Sequence, residues 1–264
     1  MNDAYINYRI IRKGLVILAM QLAWIGTVNA LEISASLHWS KRVELATPVS
    51  GVIKSVEVNT GDRVKQGDVL LKLDDRNYTA ALLRARARVK DLVEKHKEAQ
   101  RELKRAQELY DRTVLSEHDL QTAKNNKVAA DSEYETAKSE LVSAELNLEY
   151  TSIRAPFAAL VISVNAESGQ TVVSQLKPET LVTVAAAGEM IARGQIEQSQ
   201  LNGPLQGRPA EVLIAGVRYD GKVKYVGLEP VKTDKQGIYY DIAVVFNTGQ
   251  RILRAGQQVT IKLP

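Results

Sequence analysis

The sequence predicts an elongated α+β chain: a long antiparallel coiled-coil hairpin inserted into a split β-domain, followed by a small β-barrel. Three observations carry this. A heptad pattern fills residues 76–149, similar β text stands on both sides of it, and short, closely spaced strands occupy the chain from there to Pro264.

The heptads come first. Leu82, Val89, His96, Leu103 and Tyr110 share one position, and Ala85, Leu92, Ala99, Ala106 and Thr113 follow three residues later. Past Asp111–Ser116 the pattern resumes with Leu120, Lys127, Tyr134, Leu141 and Leu148, each of the first four followed by Ala123, Ala130, Ala137 or Ala144. A 3.5-residue repeat kept this long is a coiled-coil seam. Read in opposite directions, the halves match: Leu82 faces Leu148, Val89 faces Leu141 and Tyr110 faces Leu120. Between these large layers Ala85 meets Ala144, Ala99 meets Ala130 and Ala106 meets Ala123. Each arm of about 35 residues makes a rod roughly 50 Å long. His96 and Lys127 are expected to snorkel out of this thin interface. Once the seam is filled, little apolar surface should remain on the rod.

The first 30 residues read as an export signal. Arg9, Arg12 and Lys13 precede the uncharged run Gly14–Val28, and Val28-Asn29-Ala30 offers small residues for cleavage after Ala30. The apolar run of about 15 residues is short for a span, which needs roughly 20; the alternative is an uncleaved inner-membrane anchor. Either way the rest of the chain is expected outside the cytoplasm. The formal net charge is +4. The signal holds three of the cations against Asp3, so the remainder carries +2 with the signs interleaved, and no basic tract points to nucleic acid. With no cysteine, disulfides, thiolate metal sites and thiol nucleophiles are excluded.

Residues 31–42 form an N-terminal extension, and β text runs over 43–75. Pro48-Val49-Ser50-Gly51-Val52-Ile53 leads to a turn at Asn59-Thr60-Gly61-Asp62, then Gln66-Gly67-Asp68 precedes Val69-Leu70-Leu71. The text recurs 108 residues on: Pro48, Val52, Ser55, Val56, Gly61 and Val64 correspond to Pro156, Leu160, Ser163, Val164, Gly169 and Val172. Residues 43–75 and 150–182 are therefore two half-motifs of one β-domain, neither able to bury enough surface alone. Residues 183–264 are punctuated by glycine and carry strands at Ile191–Ile196, Pro209–Ile214, Gly221–Gly227, Tyr239–Phe246 and Gln257–Leu263. Such spacing suggests a small barrel.

Gly51, Gly61-Asp62, Val64, Gly67-Asp68 and Leu73-Asp74, with Arg154-Ala155-Pro156-Phe157 and Gly169-Gln170, resemble a split biotinyl/lipoyl-like domain. Wrapped around a coiled coil and followed by a barrel, it is similar to the membrane fusion proteins, or periplasmic adaptor subunits, of efflux pumps and type I secretion systems. Two departures stand out. Pro156-Phe157-Ala158-Ala159 replaces the family's usual Pro-Phe-Asp-Gly, and the hairpin occupies the place of a carrier lysine, so no biotin or lipoate cofactor is expected. The resemblance implies an inner-membrane transporter of resistance-nodulation-division (RND) type, an outer-membrane channel, and a homo-oligomer of about six copies whose contacts are expected through the β-domains. With only residues 31–42 ahead of the β text, the family's membrane-proximal domain is expected to be absent or vestigial. An adaptor for an ATP-driven (ABC) type I secretion transporter, or a periplasmic scaffold without a channel, are the alternatives.

The family's docking motif, Arg-x3-Leu-x6-Ser, falls at the turn of the hairpin as Arg105, Leu109 and Ser116. Arg105 offers a planar donor, Leu109 an apolar knob, and Ser116 a cap for the second helix with Asp119 near its third position. No enzymatic constellation is read. His38, His96 and His118 stand apart, and the methionines Met1, Met20 and Met190 make a thioether metal site improbable. Asp74 and Asp75 are expected to cap the first helix. Arg84, Arg86 and Arg88 are expected to form a solvated face.

Overall fold

The computed structural model describes residues 31–174, 179–201, 203–235 and 237–264. The expected export signal at 1–30 lies outside them. Among the described residues no helix is long and apolar enough to cross a membrane. The chain divides into two compact units, one of residues 41–187 and one of the described residues up to 40 with 188–264.

The first unit holds the duplicated text as two four-stranded sheets. Its strands are β2 (Arg42–Leu45), β3 (Gly51–Val56), β4 (Arg63–Val64) and β5 (Val69–Leu73), then β6 (Ser152–Arg154), β7 (Ala159–Val164), β8 (Thr171–Val172) and β9 (Val182–Ala186). The sheet orders are β2-β9-β7-β4 and β6-β5-β3-β8. Exchange first-half strands for their second-half counterparts and one order becomes the other. The 108-residue shift maps β3 onto β7 and β4 onto β8 without a gap.

Even single hydrogen bonds are duplicated. Gly61 N–H donates to Val161 O at 2.8 Å, and Gly169 N–H to Ile53 O at 2.8 Å. Asp62 Oδ2 accepts from Asn59 N–H at 2.7 Å, and Gln170 Oε1 from Glu167 N–H at 3.0 Å. Gly61 and Gly169 hold φ of 97° and 90°, a left-handed conformation that costs glycine nothing. Each half thus completes the sheet of the other. Ile53, Leu70, Leu71 and Leu73 from one half and Ile153, Val161, Val182 and Val184 from the other fill one core. β9 belongs to this core although the text from residue 183 reads as barrel; its buried Val182 and Val184 face the split domain.

Between β5 and β6 stand two helices, α1 (Arg76–Asp111) and α2 (Glu117–Glu149). Because β5 and β6 are antiparallel neighbours, the excursion begins and ends side by side. Leu73 N–H bonds Thr151 O at 2.7 Å, Thr47 Oγ1 donates to Tyr150 O at 3.0 Å, and Tyr78 OH to Ser50 O at 2.5 Å. At the start of α1 it is Asp74 that accepts from Arg76 N–H at 3.2 Å; Asp75, at the cap position, makes no side-chain cap bond. Hydrogen bonds from the Arg76 guanidinium hold the Asp74 carboxyl down at about 2.

The helices run antiparallel. Leu82, Leu92 and Ala106 of α1 and Leu120, Ala123, Ala137 and Ala144 of α2 are buried, while Val89, Ala99, Ala130 and Leu141 are half-buried. Tyr110 and Thr113, expected in the seam, are exposed. Leu115 from the turn packs instead with Leu103, Ala106, Leu120 and Ala123. His96 and Lys127 do not snorkel apart; both turn to Asp131. Lys127 bonds one carboxylate oxygen, and His96 Nδ1 lies 3.0 Å from the other with its ring stacked on Tyr134 at 5.2 Å. The His96–Asp131 contact is close without being a well-aligned hydrogen bond, and neither facing atom bonds elsewhere. The Lys127 hydrogen bond, more than His96, keeps the Asp131 carboxyl below the usual range. Arg84, Arg86 and Arg88 are exposed, as expected of a solvated face, and two of them, Arg86 and Arg88, also pair with the other helix. They reach across the seam to Glu145 (3.4 Å) and Glu140 (3.6 Å), exposed pairs worth about 0–1 kcal/mol each. Contrary to the expected bare rod, Leu83 on α1 and Val128, Val142 and Leu146 on α2 remain exposed away from the seam.

The second unit is a closed barrel of order β1-β10-β13-β12-β11-β14. It comprises β1 (Leu31–Trp39), β10 (Glu189–Glu197), β11 (Pro209–Ile214), β12 (Val217–Asp234), β13 (Gly237–Asn247) and β14 (Gln258–Leu263). Alternate residues point inward: Ile33, Ala35 and Leu37; Ala210, Val212 and Ile214; Val259, Ile261 and Leu263. The expected N-terminal extension is therefore a working barrel strand, since β1 joins β10 to β14. Gly194 of β10 sits where a Cβ would lie 2.7 Å from Ser34 O.

Ala137→Phe, at a fully buried seam position, should cost about 1–3 kcal/mol by overpacking. Gly194→Val should destabilise the barrel by a similar amount, about 1–3 kcal/mol. Thermal unfolding followed by circular dichroism checks both, with loss of helical signal first in the former variant and not in the latter.

Candidate functional site

At the turn between α1 and α2 three apolar side chains, Leu109, Tyr110 and Val114, are exposed. α1 ends there in paired reverse hydrogen bonds: Thr113 N–H to Tyr110 O at 2.8 Å and Val114 N–H to Leu109 O at 3.0 Å. This is a Schellman motif, whose left-handed residue is usually glycine. No glycine occurs between residues 76 and 149, so Thr113 takes the position at φ 59°. A left-handed conformation costs a side-chain-bearing residue roughly 1–2 kcal/mol. α2 then starts from Ser116, whose Oγ accepts Asp119 N–H at 3.2 Å and donates to Asp119 Oδ2 at 2.6 Å. Glu117 and Asp119 place negative charge on its first turn, where the helix dipole favours it.

The three residues singled out by spacing have different situations. Ser116 is the cap. Leu109 is 41% exposed at the last turn of α1. Arg105 lies one turn earlier, its guanidinium 2.9 Å from Glu98 and 3.2 Å from Glu102 on its own helix. Glu98 also binds Arg101, and these contacts, Arg101 first, hold its carboxyl below the usual range. Among the described residues no hydrogen bond or ion pair joins Arg105, Leu109 and Ser116 to one another. Each of the three side chains lies on the exposed surface of the hairpin's end. Among the described residues no three His, Cys, Asp or Glu side chains converge as metal ligands would. Open grooves flank the base of the hairpin, one of them lined by Ala81, Ala85, Ser139 and Ser143 beneath Arg84 and Asn147.

Tyr110, Thr113 and Val114 were not legible as part of this surface. The signal that marks such a helix end is a glycine, and here there is none.

Two interleaved β halves around a helical hairpin, with a separate barrel, define a split barrel-sandwich protein. Residues 41–196 match the family described as CzcB-like, barrel-sandwich hybrid domain, and the chain belongs to it, and so to the membrane fusion proteins, or periplasmic adaptors. The chain is 27% identical over 217 residues to the macrolide export protein MacA of Escherichia coli O157:H7, covering 76% of this chain and 58% of that one. It is 28% identical over 242 residues to MacA of Yersinia pestis, covering 84% and 65%. It thus spans under two thirds of the length of these curated relatives. Among solved structures, a membrane fusion protein of Streptococcus pneumoniae R6 superposes with a TM-score of 0.67 at 16% identity, covering 89% of this chain and 98% of that one. A MacA–MexA chimera carrying the Pseudomonas aeruginosa MexA α-hairpin gives 0.63 at 23% identity, covering 88% and 80%. These likenesses establish the fold.

Thr113→Gly should stabilise the turn by about 1 kcal/mol by removing the left-handed penalty. Ser116→Ala should destabilise the start of α2 by about 1 kcal/mol. Hydrogen exchange of the amides at 113–121 reads both, slower in the first variant and faster in the second.

Proposed function

We propose that this chain is the non-enzymatic periplasmic adaptor of a tripartite export pump, joining an inner-membrane transporter to an outer-membrane channel. The hairpin serves as a coiled-coil strut, and its tip, through Arg105, Leu109 and Ser116, docks the channel. The observation that carries this reading is the pair of helices held at their base by β5 and β6, ending in a turn whose apolar side chains the fold leaves uncovered. The names of the relatives support small-molecule export over protein secretion. The transporter is of RND type in this reading, with an ABC transporter the alternative; neighbouring genes separate them.

The work is mechanical. Several copies, about six, line up side by side so that the hairpins enclose a path, and transport energy comes from the transporter. The charges of the arms support this. α1 carries ten Lys or Arg against six Asp or Glu, and α2 three against eight, so the arms are net +4 and −5. An α1 edge of one copy against an α2 edge of the next is attractive, and like edges repel. Exposed Leu83 on α1 and Val142 and Leu146 on α2 supply apolar contact on those same edges.

Arg105→Asp or Leu109→Asp should abolish export while the chain stays folded and abundant. Wild-type export by the well-expressed double variant would remove the docking assignment. Side-by-side packing predicts that a Leu83→Cys/Leu146→Cys chain, in a protein without native cysteine, oxidises into a ladder of multimers. Dimers alone, or monomer, would refute the head-to-tail arrangement.

A further inference from the structure

The turn carries more apolar surface than the docking motif accounts for. Thr113, a β-branched residue held at φ 59°, brings Val114 beside Leu109, with Val114 N–H on Leu109 O. In a Schellman motif these two positions commonly make an apolar contact. Val114 is 71% exposed and Tyr110 37%. Neither belongs to the packed cluster of Leu103, Ala106, Leu115, Leu120 and Ala123 that closes the tip. A disfavoured backbone conformation that turns an apolar side chain outward serves no packing purpose here, and such outliers concentrate at functional positions.

We infer that Tyr110 and Val114, continuous with Leu109, form an apolar face that seats in a protein socket with a basic rim. This rests on the docking reading above and names the chemistry of the partner. Charge selects the occupant. Residues 105–119 carry Glu108, Asp111, Glu117 and Asp119 against Arg105 and Arg112. Asp111 and Asp119 have hydrogen-bond partners inside the tip, from Gln107 and Ser116, and Arg105 is held by Glu98 and Glu102. The acidic surplus disfavours both anionic lipid and an identical tip from a second copy. A protein surface with an apolar floor and cations around it is complementary to it.

The test uses the full chain carrying Val114→Cys as its only cysteine, with Gln206→Cys as an exposed control on the barrel, and a membrane-impermeant maleimide as probe. In the intact envelope of cells that make the protein, labelling at residue 114 should be lost while residue 206 still labels. Adding Arg105→Asp should restore labelling at 114. The purified chain should label freely at 114 when dilute, when concentrated, and with phosphatidylethanolamine–phosphatidylglycerol vesicles. Free labelling at 114 in the envelope overturns the inference. So does protection by vesicles alone, which assigns the face to lipid, or by concentration alone, which assigns it to a second copy. Val114→Asp should abolish export with the helical signal intact, and Thr113→Gly, which keeps the geometry, should not. Export lost in Arg105→Asp but kept in Val114→Asp sinks this inference and leaves the docking reading standing; export kept in both sinks the two together.

Discussion

The pairing of β6 with β5 is the constraint from which the rest follows. The chain leaves the split domain at Asp74 and must re-enter at Ser152 on the neighbouring strand, about 4.8 Å away. Whatever lies between must close on itself. Helices of 36 and 33 residues meet that condition, since at 1.5 Å per residue their lengths differ by only about 5 Å. The base bonds of Leu73, Thr47 and Tyr78 then fix where the two helices stand.

A pair of helices has little interior. Alanines at 106, 123, 137 and 144 let the backbones approach, leucines at 82 and 120 fill the alternate layers, and Leu92 takes an alanine position. Midway along, the apolar pattern lapses and Asp131 gathers His96 and Lys127 into a polar bridge. The tip is closed by Leu115 rather than by the heptad residues beyond it. Most of the surface is left to charges, with opposite net sign on the two arms.

How legible this was depended on the range of each interaction. The repeat could be read because β3 and β7, and β4 and β8, keep their turns at the same offset, Gly61 and Gly169 included. Helix existence and antiparallel direction followed from heptads, but the pairing of Tyr110 with Leu120 did not hold, since Tyr110 is exposed. β1 could not be placed, because alternation in Leu31–Leu37 specifies a half-buried strand but not its neighbours, and β10 and β14 lie far along the chain. β9 was misplaced for the same reason. At the tip, Arg105, Leu109 and Ser116 could be found by spacing. Tyr110 and Val114 could not, because a threonine at 113 hides the helix end that a glycine would have announced.

By itself, the sequence determined the elements whose physics is local or periodic: two amphipathic helices, a duplicated set of strands with their turns, and a cap at Ser116. The tertiary structure alone decided which strand pairs with which, that residues 31–39 close the barrel, and which apolar residues are left uncovered. Pairing and exposure depend on side chains distant in the chain, and no window of sequence contains both partners.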